Sequence, residues 1–193
     1  MPFDPCVTRI IPELHAWQEH LHRNPELSFE EFETTAYLAE LLSAMPGVSV
    51  SRPTKTGLVA SIRGEKDGRQ TVLGVRGDID ALPIEEASGL PYASVRPGVM
   101  HACGHDGHTA IELGLAEETA RMIRAGEKLP RNVLFVFQPA EETTGGAGRI
   151  CETGVFERWI WCAQARRTAW TPCSACIFPR IGLRACLACA QAC

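Results

Sequence analysis

Residues 133–142 read Val-Leu-Phe-Val-Phe-Gln-Pro-Ala-Glu-Glu. Five consecutive apolar residues, rich in β-branched and aromatic types and closed by a proline, predict a strand buried on both faces. A strand of that kind needs cover above and below, and the chain before it supplies helical patterns. Residues 8–22 place Ile11, Leu14, Trp17 and Leu21 at helical spacing. Ser28 followed by Glu31 predicts a capping box at the start of a second helix, with Phe32, Tyr37, Leu38, Leu41, Leu42 and Met45 as its apolar stripe. Pro46-Gly47 ends it. Strand-like runs follow at 48–51, 57–64 and 71–79, with Glu65-Lys66-Asp67-Gly68-Arg69-Gln70 between the last two as a hairpin-type turn. A long amphipathic helix is expected from Asp106, carrying Ile111, Leu115, Met122 and Ile123 along one side. Helices alternating with buried strands define the fold class as α/β, with a central, largely buried sheet flanked by helices.

Bulk properties narrow the functions open to such a chain. Of 193 residues, 45% are apolar and 22% charged, an ordinary globular balance. A net charge of −4 argues against nucleic acid or an anionic membrane as partner. No apolar run approaches the ~20 residues of a membrane span, and Met1 to His15 lacks the pattern of a signal peptide. A cytoplasmic location is the expectation. Seven of the nine cysteines lie between Cys151 and Cys193, and no acidic residue or lysine follows Glu157. The chain therefore divides near Arg158 into a well-patterned part, 1–158, and a basic, Cys-rich tail, 159–193.

Three stretches carry chemistry. Met100-His101-Ala102-Cys103-Gly104-His105-Asp106-Gly107-His108 crowds three histidines and a cysteine together. Cys103 and His105, two residues apart, cannot share a helix face, and Gly104 between them permits a turn. Thiolate with imidazole suits zinc and other divalent metals. Asp106 is read as orienting a ligating imidazole or as an N-cap; the bland alternative is a capping loop with incidental histidines. The second stretch, Glu141-Glu142, follows the buried strand at the end where α/β sheets collect ligands. Adjacent carboxylates in extended chain point opposite ways, leaving one for metal and one for a proton; a solvated loop is the alternative. The third is Arg76-Gly77-Asp78-Ile79-Asp80 at another strand end, where Asp78 and Asp80 share a face. They support a metal, anchor a ligand by hydrogen bonds, or simply cap the strand.

Together, LHRNPELSFEE (21–31), RGDIDALPIEE (76–86), MHACGHDGHTA (100–110) and FQPAEETTGGA (137–147) closely resemble the M20 metallopeptidase amidohydrolases, in the branch of hippurate hydrolase and plant auxin-conjugate hydrolases. The resemblance runs from about Ile11 to Arg158. It implies the N-terminal part of a zinc-peptidase-like catalytic domain, without its lid domain, that hydrolyses N-acyl amino acids at a two-metal zinc or manganese site. By that resemblance Cys103, His105 and Glu142 are metal ligands and Glu141 is the general base. Asp78, Asp80, His101, Asp106 and His108 fall in the second shell or pocket, and His22 has either a packing or a surface role. The family's homo-oligomer is not assured without the lid domain, and the sequence leaves the oligomeric state open. The family's later histidine ligands have no counterpart, since no histidine follows His108. The tail is expected to reflect a frameshift or truncation. The alternatives are a non-catalytic, metal-binding α/β fragment, or a structural zinc knuckle on Cys173-x2-Cys176 and Cys186-x2-Cys189.

Overall fold

The computed structural model describes residues 5–64, 72–143 and 145–157; the tail and its CxxC pairs lie outside them. In chain order the elements are α1 (Pro5–Arg23), α2 (Phe32–Ala44), β1 (Val48–Ser51), β2 (Leu58–Ile62), β3 (Val72–Asp78), α3 (His105–Arg124), β4 (Asn132–Gln138) and α4 (Gly146–Glu152).

The four strands form one sheet in the order β1-β2-β4-β3. Every residue of β4 is buried, as its apolar run requires. Val133, Phe135 and Phe137 point into the larger core with Leu38, Leu42, Leu58, Ile62 and Leu113. Leu134 and Val136 point the other way, against Val59, Ile150 and Val155. Alternation along one strand thus fills two cores, with α2 and α3 on one face and α4 on the other.

β4 pairs antiparallel with β2 and parallel with β3, Asp78 standing opposite Gln138. β2 and β3 are not neighbours, so the connection between them is not a hairpin, contrary to the sequence expectation. β2 and β4, both buried throughout and apolar on both faces, take the two inner places of the sheet. The parallel β3–β4 pair is joined through α3, and the carboxyl ends of both strands open beside the start of that helix.

Two helical expectations are corrected. Ser28 and Glu31 form no capping box. α2 begins at Phe32, and its first free N–H groups, those of Glu33 and Thr34, donate to the Glu26 carboxylate at 3.2 and 2.7 Å. Phe32, placed in the apolar stripe, is exposed. In α3 the side bearing Ile111, Leu115 and Met122 faces solvent, and Leu113, Ala116 and Ala120 face the core. Close approach decides this: a Cβ on Gly114 would sit 2.6 Å from Leu14 of α1. Only a face of small residues lets α3 pack between α1 and the sheet.

Candidate metal centre

The centre is built on His105, the first residue of α3. Gly104 before it adopts φ +85°, the left-handed conformation the Cys-Gly-His turn calls for. The His105 side chain is buried, and its Nδ1 donates to the Asp80 backbone carbonyl at 2.8 Å, with Asp80 Oδ1 at 3.3 Å. That bond leaves Nε2 as the atom facing the site. Around it stand Asp78 Oδ1 at 3.7 Å, Glu142 Oε1 at 3.7 Å and Glu141 Oε2 at 3.9 Å. Burial alone would lower the His105 pKa. The Asp80 and Asp78 carboxylates outweigh it and bring the value up to about 9 in the metal-free chain.

Asp78 and Asp80 do share a face, as their spacing predicts, and both turn to His105. Asp80 is buried, which by itself raises its pKa. Hydrogen bonds from His105, from Ser28 Oγ at 2.6 Å and from the N–H groups of Glu142 (3.0 Å) and Glu141 reverse that and bring it to about 2. Asp78 Oδ2 lies 3.1 Å from Arg76, whose Nε donates to Gln138 at the end of β4. Oδ1 of Asp78 accepts from His108 Nδ1 at 2.6 Å, and the Asp78 carbonyl accepts from Thr109. His108 lies one helical turn beyond His105, and the two rings stack at 5.6 Å between centroids.

Glu141 and Glu142 do not diverge as an extended segment would make them. Ala140 has φ +50°, and this bend lets both carboxylates approach the same imidazole. Glu31, buried on α2's threshold, accepts the Ala140 N–H at 2.8 Å and holds the bend. Cys103 is exposed beside His105 and Glu142, close enough for the three ligand atoms to hold one ion. The buried Glu142 Oε1 lacks a hydrogen-bond donor among the described residues. An unpaired buried carboxylate oxygen beside an imidazole nitrogen and a thiol fits a divalent cation.

Asp106 neither orients His105 nor caps α3. It is tied to α1: His22 Nδ1 lies 2.8 Å from Asp106 Oδ2, and Gln18 Nε2 donates to the same oxygen at 3.0 Å. The other nitrogen of His22 reaches Glu86 at 3.2 Å. His22 is therefore neither a surface residue nor mere packing; it clamps α1, the 79–104 loop and the start of α3 together. His101 is buried with neither ring nitrogen hydrogen-bonded within the described residues, and burial drives its pKa well down.

Sequence reading missed Ser28, Glu31 and His22 as site-supporting residues. All three fall inside LHRNPELSFEE, so the signal was present in a stretch read as helix punctuation.

An α/β sheet presenting thiol, imidazole and carboxylate donors beyond the ends of a parallel strand pair is a framework suited to holding a divalent metal ion. The sequence profile of peptidase family M20/M25/M40 matches residues 74–187, and the chain belongs to that family. It is 46% identical over 142 residues to an uncharacterized hydrolase of Staphylococcus haemolyticus, covering 74% of this chain and 36% of that protein. A hydrolase of Staphylococcus aureus strain USA300 matches at the same identity and coverage. Among solved structures, a dinuclear metal binding peptidase of the M20 family from Bacillus subtilis superposes with a TM-score of 0.70 at 42% identity, covering 77% of this chain and 40% of that one. An aminobenzoyl-glutamate utilization protein from Klebsiella pneumoniae, at 24% identity and a TM-score of 0.57 over 78% of this chain and 42% of that one, shares the fold. The chain spans little more than a third of the length of the curated relatives it matches. No helix among the described residues is long and apolar enough to cross a membrane.

Proposed function

We propose that residues up to about 158 carry one half of the active site of a cytoplasmic hydrolase that cleaves the amide bond of small N-acyl amino acids, hippurate-like compounds among them. The observation that carries this reading is the convergence of Asp78, Cys103, His105, Glu141 and Glu142 on one face of the fold. Cys103, His105 and Glu142 would hold a zinc or manganese ion. Such an ion supplies the Lewis acidity that polarises a carbonyl and makes water nucleophilic near neutral pH.

The chain's own groups do the rest. Glu141 is the most exposed of the carboxylates around His105, so it is the one free to take a proton from water and pass it to the departing amine nitrogen. Asp80 fixes the His105 tautomer through its backbone carbonyl, so Nε2 keeps its lone pair for the ion. Glu31 and Ser28 keep the Pro139–Glu142 bend and the Asp80 carboxylate in place.

The test is turnover of N-acyl amino acids by the purified chain with added zinc or manganese. Glu141→Gln is expected to lower kcat by about 10²–10⁴-fold while leaving metal affinity intact. Metal binding with no turnover in the unsubstituted chain would support a second reading, a metal-binding fragment.

A further inference from the structure

β2 begins where β4 ends, with Leu58 opposite Phe137, so the loop leading into β2 lies beside Pro139. With the turn before α2 and with α4, that loop encloses a cavity of about 270 Å³, lined by Phe29, Thr54, Lys55, Thr56, Pro139 and Arg149. None of these residues belongs to either set of candidate metal ligands. The volume falls just under the roughly 300–1,000 Å³ of pockets for drug-sized ligands, so an occupant is small.

The lining sets the chemistry of that occupant. It holds two cations, Lys55 and Arg149, and no carboxylate. Among the described residues the arginines that pair with carboxylates are Arg9, Arg76, Arg96, Arg121 and Arg124; neither Lys55 nor Arg149 is neutralised in this way. Arg149 is held over the Phe29 ring, its guanidinium carbon 3.9 Å from the centroid. That contact fixes the cation without engaging its N–H donors on an oxygen. Phe29 reaches it from a left-handed backbone, φ +66°, which a bulky side chain adopts only where the surrounding structure imposes it, and strain of this kind collects at ligand sites. The Thr54 hydroxyl donates to the Thr56 carbonyl at 2.7 Å, so negative charge in the cavity falls to Lys55 and Arg149. The rings of Phe29 and Pro139 supply apolar wall. Pro139 is fixed there, since a Cβ on Gly57 would lie 2.4 Å from its Cδ.

We propose that this cavity binds a small organic carboxylate, its oxygens on Arg149 and Lys55 and its apolar body against Phe29 and Pro139. A planar guanidinium suits a carboxylate because two N–H groups can meet its two oxygens together. The site is separate from the metal centre and does not depend on the hydrolase reading.

Benzoate is the probe, titrated into the purified chain and followed by NMR of the backbone amides and the Arg149 side chain. Saturable shifts at Phe29, Lys55, Thr56 and Arg149 are expected, with a Kd on the order of 1 mM. Arg149→Gln and Lys55→Gln, both at exposed positions, are each expected to weaken binding ~10-fold. Their spectra without benzoate check that the fold is kept. Acetate, which lacks the apolar body, is expected to bind less tightly. Inorganic phosphate binding more tightly than benzoate would overturn the carboxylate assignment. Shifts confined to Cys103 and His105, affinity unchanged in both variants, or no saturation would overturn the site itself.

Discussion

His22 offers a hydrogen bond from each ring nitrogen to a different carboxylate, which only the protonated imidazolium can do. Burial alone would lower its pKa, but Asp106 and Glu86 outweigh it and raise the value above 6.5. A raised folded-state pKa means that the charged clamp stabilises fully below about pH 6.5 and loses its contribution as pH rises through the folded value. The groups facing His22 are Asp106 and Glu86, with His101 near and the Tyr92 ring edge-on at 5.5 Å. His22→Gln is expected to cost on the order of 3 kcal/mol at pH 6. Urea denaturation of both proteins from pH 6 to 9 should show that difference shrinking with pH; a constant difference would mean that His22 is uncharged. Ser28 makes a similar point on a smaller scale. Its place three residues before Glu31 reads as a cap, yet its hydroxyl goes to Asp80 and Glu31 goes to the Ala140 N–H. Local sequence shows which groups can hydrogen-bond, not which partner the fold brings within reach.

At the scale of elements, the clearest case is α3. Its apolar residues Ile111, Leu115 and Met122 face solvent while a carboxyl group, Glu112, is wholly buried against the sheet. Glu112 Oε1 accepts the Val136 N–H at 2.8 Å, and burial pushes its pKa well up. Gly77 makes the room: a Cβ there would approach Glu112 Oε2 to 2.6 Å. Nothing in Ile111-Glu112-Leu113 marks the glutamate as the inward residue, because helix periodicity cannot tell a face of small residues from a polar one. Glu112→Gln, which keeps an acceptor for Val136, should cost no more than about 1 kcal/mol, and Glu112→Leu, which leaves that N–H unpaired, about 1–3 kcal/mol, compared by thermal melts. The turn into α4 is stricter still. A Cβ on Gly146 would lie 1.8 Å from the Pro139 carbonyl oxygen, so the backbone itself would have to move. Gly146→Ala is expected to lower stability by roughly 2–4 kcal/mol and to weaken metal binding by shifting the Pro139–Glu142 bend; a melting temperature within a degree of the parent would show that the bend is soft.

For the whole molecule, the candidate metal centre draws on α3, the ends of β3 and β4 and the loop before α3, so an ion bound there would tie the layers together. Zinc at 100 times its Kd should stabilise the chain by about 2.7 kcal/mol, seen as a rise in melting temperature that Cys103→Ala reduces. No rise at saturating zinc or manganese would count against the centre. The α/β class, the buried central strand, the two aspartates two residues apart on one face and the Cys-Gly-His turn were all legible in the sequence, because each depends on contacts or conformations set within a few residues: alternation along a strand, period-two geometry, a glycine's freedom at positive φ. The strand order, with β4 between β2 and β3, the orientation of α3, the clamp of His22 on Asp106 and the gathering of Glu141 and Glu142 onto one imidazole were decided only by tertiary structure. They join residues 24 to 109 positions apart, and what selects such pairings is the close packing of particular faces and the need to satisfy buried polar groups, neither of which exists until the chain has folded.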